Sequence, residues 1–353
     1  MKMAILTDTH CGIRNSSEVF LDNAEDFYTN IFFPECEKRG VKQILHLGDY
    51  YDHRKFVNFK ALNQNRRVFL DQLRKNNMTM DIIPGNHDTY YKNTNELNAL
   101  KECLGHYMNE IHIIMEPTVM EYGSLKMALL PWINQENHQQ SMNFIQNCKA
   151  DWLGAHLELC GFDMLKGIPN HHGMDPSVVD RFEQVITGHF HTSSKKGNVW
   201  YLGSPLEYFW SDAHDPKYFH ILDTETRKLE RIQNTFTLFH KIIYNSTKTN
   251  YNTYTVSNLD KKFVKIIVVN KGDSFTFDRF VDRIQNQDIY ELKIAENFSE
   301  FVGQNIADEG LEVDDTPKLM NDYIDGVDTD LDKDKLKINM RDLMTEAQSL
   351  EIA

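Results

Sequence analysis

Several common frameworks are missing from this chain of 353 residues. Its five cysteines, Cys11, Cys36, Cys103, Cys148 and Cys160, stand singly with no CxxC pair. A structural zinc on thiolates is therefore not expected, and an odd number cannot all pair within one chain, which fits a reducing compartment. No apolar run approaches the roughly eighteen residues needed to span a bilayer, so no membrane association is expected. Met1 to Leu6 lacks the long apolar stretch and small-residue cleavage site of a secretory signal, and export is not expected. An excess of positive charge is missing too: the net charge is -14, which argues against nucleic-acid binding by the surface as a whole. The acid is unevenly spread. Residues 301–353 hold five Lys or Arg against fourteen Asp or Glu, a net of -9 that leaves -5 for the first 300 residues.

What is present is ordinary globular composition, 41% hydrophobic and 25% charged, and a length that suggests one large domain with smaller attachments. Short apolar runs at Ala4-Ile5-Leu6, Ile44 to Leu47, Ile82-Ile83, Trp152-Leu153 and Val185-Ile186 read as buried strands. Helical patterns lie between them. Ser16 or Ser17 is placed to cap one running through Lys38, and Phe59, Leu62, Phe69 and Leu73 share one face of another. Strands alternating with helices predict an α/β layered domain with its ligands on loops at the strand ends. The Lys217 to Lys241 stretch alternates like edge strands completing that domain. A smaller α+β unit follows, with strands at Phe263 to Val269 and Tyr290 to Ile294 around a helix at Phe277 to Ile284. The chain thus divides into 1–240, 241–300, an acidic linker at 301–315, and a helical segment at 316–353. In that last segment Thr316-Pro317 starts one helix, and Leu336, Met340, Leu343, Ala347 and Leu350 form the apolar stripe of a second. So short a pair cannot bury its stripe alone, and docking on another protein is expected.

The chemistry is concentrated in five clusters: Asp8-Thr9-His10, Gly48-Asp49 with Asp52 and His53, Gly85-Asn86-His87-Asp88, His156, and Gly188-His189-Phe190-His191. Each follows a candidate strand. A single DxH or HxH would mean little, but five in this order do. Carboxylate, imidazole and amide oxygen without thiolate suit a borderline-hard divalent ion, and a shared carboxylate would hold two ions about 3.5 to 4 Å apart. Gly48, Gly85 and Gly188 are expected to let the chain turn sharply after each strand. Other features carry less. Asp328, Asp330, Asp332 and Asp334 alternate like a calcium loop, but Lys333 and Asn339 occupy the required glycine and glutamate positions. His171-His172 reads as an ordinary loop, and Trp200, Tyr208, Phe209 and Trp210 as core or interface aromatics.

The motif order D-x-H, G-D-x-x-D, G-N-H-D, H and G-H-x-H resembles the calcineurin-like metallophosphoesterase superfamily. Within it the likeness is to the DNA-repair branch, the nuclease subunits of SbcCD-type recombination and repair complexes, and it covers about residues 1–240 most strongly. The resemblance implies a β-sandwich flanked by helices, a small α+β DNA-capping domain at 241–300, and C-terminal helices. It implies that Asp8, His10, Asp49 and His191 bind one ion and Asp49, Asn86, His156 and His189 a second. Mn²⁺ is the expected metal, with Mg²⁺ as the alternative. His87 would serve the scissile phosphate, with Asp88 orienting it and His53 assisting. Arg54, Lys55, Lys195 and Lys196 are candidates for DNA backbone contacts. Gly203-Ser204-Pro205 resembles the turn that closes the family's site. The activity implied is double-strand exonuclease and single-strand or hairpin endonuclease cleavage in recombination and double-strand-break processing. The partners implied are DNA, a coiled-coil ABC-type ATPase gripped by the Leu336 to Leu350 stripe, and a second copy of the chain within a heterotetramer in a bacterial or phage-infected cytoplasm. A phosphoprotein or nucleotide phosphatase, or a phosphodiesterase, on the same two ions is the alternative reading.

Overall fold

The computed structural model describes residues 1–165, 168–296, 324 and 331–350. The chain divides into two compact units, Met1–Phe236 and Thr237–Ala353.

The larger unit is built on two six-stranded sheets. In the first, β1 (Lys2–Leu6), β2 (Gln43–His46), β3 (Thr79–Ile82) and β4 (Ile111–Ile113) run parallel, and β13 (Lys217–Asp223) and β14 (Lys228–Asn234) extend the β1 edge antiparallel. In the second, β6 (Leu125–Leu130), β7 (Trp152–His156), β10 (Gln184–Gly188) and β12 (Val199–Tyr201) run parallel. The antiparallel strands β5 (Thr118–Tyr122) and β11 (Ser194–Lys196) form its edges. A small hairpin pairs β8 (Asp163–Leu165) with β9 (Ile168–Pro169).

The near-continuous apolar runs are explained by burial on both faces of each sheet. Along β6, Met127 and Leu129 pack with Met3, Ile5, Leu45, Leu47, Trp152 and Ile186 between the sheets, while Ala128 and Leu130 pack with Ile145, Leu153 and Phe182 on the outer face. An aromatic cluster covers the first sheet: Phe32 lies 5.0 Å from Phe219 and 6.0 Å from Phe69, ring centre to ring centre. The Lys217 to Lys241 alternation resolves into β13, β14 and, after Phe236, the first strand of the smaller unit.

Two long helices differ in detail from their sequence patterns. The first runs from Glu18 to Lys38 with a π turn at Tyr28–Phe32. Ser17 holds its N-cap position, but its hydroxyl makes no capping bond. The second is capped by Asn58, which accepts the Lys60 N–H at 2.8 Å, and contains a π turn at Arg66–Leu70. That turn inserts an extra residue and resets the phase. Phe69 and Leu73 are fully buried in consequence while Phe59, expected on the same face, is 87% exposed.

The smaller unit is a parallel three-stranded sheet in the order β15 (Phe239–Asn245), β16 (Phe263–Asn270), β17 (Glu291–Glu296), with the helix Ser274–Gln285 as the crossover. Its core is Tyr244, Tyr251, Val264, Ile266, Phe277, Phe280 and Ile284. Asp273 caps the helix, accepting the Thr276 N–H at 2.8 Å. A further helix spans Lys333–Leu350. The acidic linker expected at 301–315 and the helix expected from Thr316 lie outside the described residues, Ile324 apart.

Candidate metal centre

All the parallel strands that bear ligands end at one edge of the large unit. Asp8 lies two residues past β1, Asp49 three past β2, Asn86 four past β3, His156 ends β7, and His189 directly follows β10. Loops at the carboxyl ends of parallel strands are where an α/β sheet can present side chains without breaking its ladder. The backbone there is strained. Asp8, His10, Asp49 and His189 all have positive φ, at 51°, 41°, 54° and 94°. Each such residue costs about 1 to 2 kcal/mol, a cost that persists only where surrounding structure enforces it.

The glycines serve for two different reasons. Gly48 has φ 95°, the turning role expected. Gly85 and Gly188 do not have positive φ, and proximity excludes a side chain instead. A Cβ on Gly85 would lie 2.2 Å from Asp49 Oδ1, and one on Gly188 would lie 1.9 Å from Thr7 Oγ1.

Two sets of donor atoms converge around Asp49. On one side His10 Nε2 lies 3.0 Å from His191 Nε2 and 3.8 Å from Asp49 Oδ2, and His191 Nε2 lies 4.0 Å from Asp8 Oδ1. On the other, Asn86 Oδ1 is 3.1 Å from His156 Nε2 and 2.9 Å from His189 Nδ1, with His156 Nε2 3.3 Å from Asp49 Oδ2. Neighbouring ligands in an octahedral shell with bonds of about 2.1 Å stand about 3 Å apart, so these separations fit a divalent ion in each set. The donors are oxygen and imidazole nitrogen throughout. Imidazole orientation is also fixed: Asp52 Oδ1 lies 3.3 Å from His10 Nδ1, and the Leu47 carbonyl 2.8 Å from His156 Nδ1, so both rings turn Nε2 inward.

The electrostatics favour cations. Burial pushes the Asp8 carboxyl up to about 6, with His156 opposing and Asp49 adding to the rise. Burial also resists charge on Asp49, yet His156, His87 and His10 hold it well below the usual carboxylate range. Burial opposes protonation of His10, but its contact with Asp52 and the charges of Asp49 and Asp8 lift it to about 9. His156, likewise buried, is lifted to about 9 chiefly by Asp49. Burial depresses His189 to about 3, and sends His191 in the same direction. A field that draws protons onto two buried imidazoles favours divalent cations in their place.

The structure redistributes several expected roles. Asp88 does not orient His87. Its carboxylate accepts the backbone N–H groups of Tyr50 at 3.0 Å, Tyr51 at 3.0 Å and Gly85 at 2.9 Å, clamping the Asp49 loop to the Asn86 loop. His87 is held through Nδ1, 2.6 Å from the Asp52 carbonyl, because the loop brings that backbone atom nearer than any carboxylate. Its ring is half-buried and lies 4.8 Å from that of His10. His53 is stacked on Phe56 at 4.1 Å, and Asp52, not His53, reaches the donor cluster. Arg54 is half-buried, with Nη1 3.5 Å from Thr89 Oγ1. Lys55 is exposed, its ammonium 6.0 Å from the centre of the Tyr90 ring. Lys195 and Lys196 lie apart from the ligand edge, since their β12 partners Trp200 and Val199 pair with Ile186 and Val185, two and three residues back from Gly188. On the helix Lys333–Leu350, Met340 and Leu343 are exposed and Leu336 half-buried, whereas the side chains of Ala347 and Leu350 lie outside the described residues.

Two residues not assigned from sequence border the cluster. The Trp132 ring packs 5.3 Å from that of His189 and 5.8 Å from that of His156. It lies two residues beyond β6, a sixth apolar run ending at the same edge but in Pro131-Trp132, with no ligand type to flag it. Tyr208, read as a core aromatic, is buried and donates its hydroxyl to the Asp8 carbonyl at 2.8 Å.

Comparison with known proteins gives the family. Residues 1–193 match the family model described as calcineurin-like phosphoesterase. Exonuclease subunit 1 of Enterobacteria phage T4 is 30% identical over 351 residues, 98% of this chain and 99% of the relative. Among solved structures, an archaeal phosphodiesterase aligns at 18% identity over 66% of this chain and 100% of its own, with a TM-score of 0.32. A protein of Thermus thermophilus aligns at 11% identity over 66% and 98%, with a TM-score of 0.37. The chain belongs to the calcineurin-like phosphoesterase family and is a metal-dependent phosphoesterase.

Proposed function

We propose that this protein is a DNA nuclease that hydrolyses phosphodiesters with two divalent ions, as the nuclease subunit of a recombination and repair complex. The observation that carries the reading is Asp49 standing between two donor sets, within 3.8 Å of His10 on one side and 3.3 Å of His156 on the other, in a chain that aligns end to end with a phage exonuclease subunit. Asp8, His10, Asp49 and His191 would hold one ion and Asp49, Asn86, His156 and His189 the other. Oxygen and imidazole donors without thiolate favour Mn²⁺, with Mg²⁺ as the alternative. Bound there, the ions would supply Lewis-acid stabilisation of the negative charge that develops on a phosphodiester under attack.

The protein's own part is to orient and to move a proton. The Asp52 carbonyl can only accept, so His87 Nδ1 carries a hydrogen and the neutral ring offers its lone pair at Nε2. Burial keeps the free His87 below its ordinary value, although Asp49 opposes this. A proton carried at Nε2 is the one the ring would deliver to the leaving oxygen.

We assign residues 241–300 to DNA capping, Arg54 and Lys55 to the DNA backbone, and the Leu336 to Leu350 stripe to a coiled-coil ABC-type ATPase. Exposure of Met340 and Leu343 supports the last of these. A homodimer within a heterotetramer is supported by the exposed apolar side chains Phe56, Phe59, Tyr91 and Leu97. The assembly works on double-strand ends and hairpins in the cytoplasm.

The test is cleavage of end-labelled duplex DNA with Mn²⁺ or Mg²⁺, run beside nitrophenyl phosphate. Metal-dependent cutting of DNA is expected. Rapid turnover of the monoester with no DNA cleavage would instead make the protein a phosphatase. Deletion of residues 316–353 is expected to spare cleavage of short DNA and abolish ATPase association, and unchanged co-purification would overturn the partner assignment.

A further inference from the structure

The segment after the last histidine motif holds a buried lysine that the chemistry above does not use. Lys217 opens β13 and is 4% exposed. An ammonium has three N–H groups, and each meets an acceptor here. They are the His191 carbonyl at 3.0 Å, Asp212 Oδ1 at 2.7 Å and Asp215 Oδ2 at 3.0 Å. The other oxygen of Asp212 accepts the backbone N–H groups of Tyr208 at 2.7 Å and Phe209 at 2.9 Å. Tyr208 in turn donates its hydroxyl to the Asp8 carbonyl. One ammonium is thus tied directly to the backbone of His191 and, through Asp212 and Tyr208, to the backbone of Asp8.

The surroundings leave that carbonyl little freedom. It also accepts the Ser204 N–H at 3.1 Å, and a Cβ on Gly203 would come within 2.9 Å of it. The Tyr208 ring stands edge-on to both His10 and His191, at 5.5 and 5.4 Å. A buried ion pair is weak support for stability, because well-packed apolar residues of the same volume often serve as well or better. Its placement against two ligand-bearing backbones gives this one a different purpose. The opposite donor set is braced chiefly from its own sheet: His156 is the last residue of a central strand, with Nδ1 2.8 Å from the Leu47 carbonyl, and His189 packs against Trp132, although its N–H also reaches the Asp8 carboxylate at 3.0 Å.

We propose that Lys217, acting with Asp212, is a positioning residue for the ion site formed by Asp8, His10 and His191, and does not support the site formed by Asn86, His156 and His189. This rests on the two-ion reading above. Lys217→Met alone strands the buried Asp212 carboxylate, so the decisive variant is Lys217→Met with Asp212→Asn, whose amide oxygen still accepts from Tyr208 and Phe209 while the half-buried Asp215 keeps access to solvent. Asp215→Asn, which keeps Lys217 paired with Asp212, is the milder second variant. The full chain is titrated with Mn²⁺ by calorimetry, with electron paramagnetic resonance reporting coupled against single ions and metal-free thermal unfolding reporting the fold.

The wild type is expected to bind two ions and give the coupled signal. The double variant is expected to hold the first ion as the wild type does, to bind the second about 10- to 100-fold more weakly, and to give a single-ion signal. Asp215→Asn should weaken that same ion to a smaller degree. Wild-type affinity for both ions in the folded variants overturns the proposal, as does equal weakening of both. Fewer than two ions in the wild type overturns the two-ion reading itself.

Discussion

The two flanks of Asp49 are built on different principles. The Asn86, His156 and His189 flank leans on the sheet: His156 belongs to β7, and its ring is set by a carbonyl at the end of β2. The Asp8, His10 and His191 flank sits on loops, where Asp8 and His10 have positive φ, as do the shared Asp49 and, on the other flank, His189. It is braced by side chains from elsewhere, Asp52 on His10, Tyr208 on Asp8 and Lys217 on His191. Strand backbone is rigid without further support, whereas strained loops need partners that enforce their geometry. One flank is therefore expected to tolerate loss of its surroundings and the other to depend on them.

The largest effect should come from the residue both flanks share. Asp49→Ala is expected to abolish binding of both ions and lower DNA cleavage at least about 10³-fold, measured with Mn²⁺ on labelled duplex. Retention of either ion would show that the flanks are independent sites. His87→Ser separates chemistry from binding: activity should fall about 10² to 10⁴-fold with two ions still bound, and a changed ion count would place His87 among the ligands.

A smaller, asymmetric effect is expected from the surroundings. Asp52→Asn should weaken one ion about 10- to 100-fold, while Trp132→Leu should change neither affinity by more than a few-fold, because β7 and the Leu47 carbonyl still fix His156 and Asp8 still holds the His189 backbone. Equal effects in calorimetric titrations would erase the distinction between the flanks.

The smallest effect concerns pH and His46, which props the loop flank from beneath. Its Nδ1 accepts the Gly48 N–H at 3.3 Å, and its Nε2 lies 3.0 Å from Thr9 Oγ1. Burial depresses it to about 3, with Asp49 opposing. The unfolded chain therefore takes up a proton below about pH 6.5 that the folded chain refuses until about 3. The His46 contribution to stability is lost as pH falls through that window, by up to about 1.4 kcal/mol per pH unit. Thermal unfolding of the metal-free protein against pH should show this slope, and His46→Leu should reduce it.

Much of the site was legible because its motifs are local. Asp8 and His10, or Asn86 and His87, come from single loops whose residue types and order already speak of metal chemistry, and the apolar runs before them could only be buried strands. The braces were not legible, because each joins residues far apart in the chain. Nothing near Asp8 points to Tyr208, and nothing near His191 says that Lys217 will spend its three hydrogens there, in part on an Asp212 that also holds Tyr208. His53 looked as suitable as Asp52, since adjacent loop residues point different ways only once the loop has closed.

By itself the sequence determined the ligand types, their order along the chain, and the alternation of strand and loop that carries them to one sheet edge. Those are consequences of local polarity and periodicity. Only the tertiary structure decided which donors meet, which of them share Asp49, and that Gly85 and Gly188 are glycines for space, not conformation. Such questions turn on how strands of two different sheets are placed against one another, and packing alone sets that.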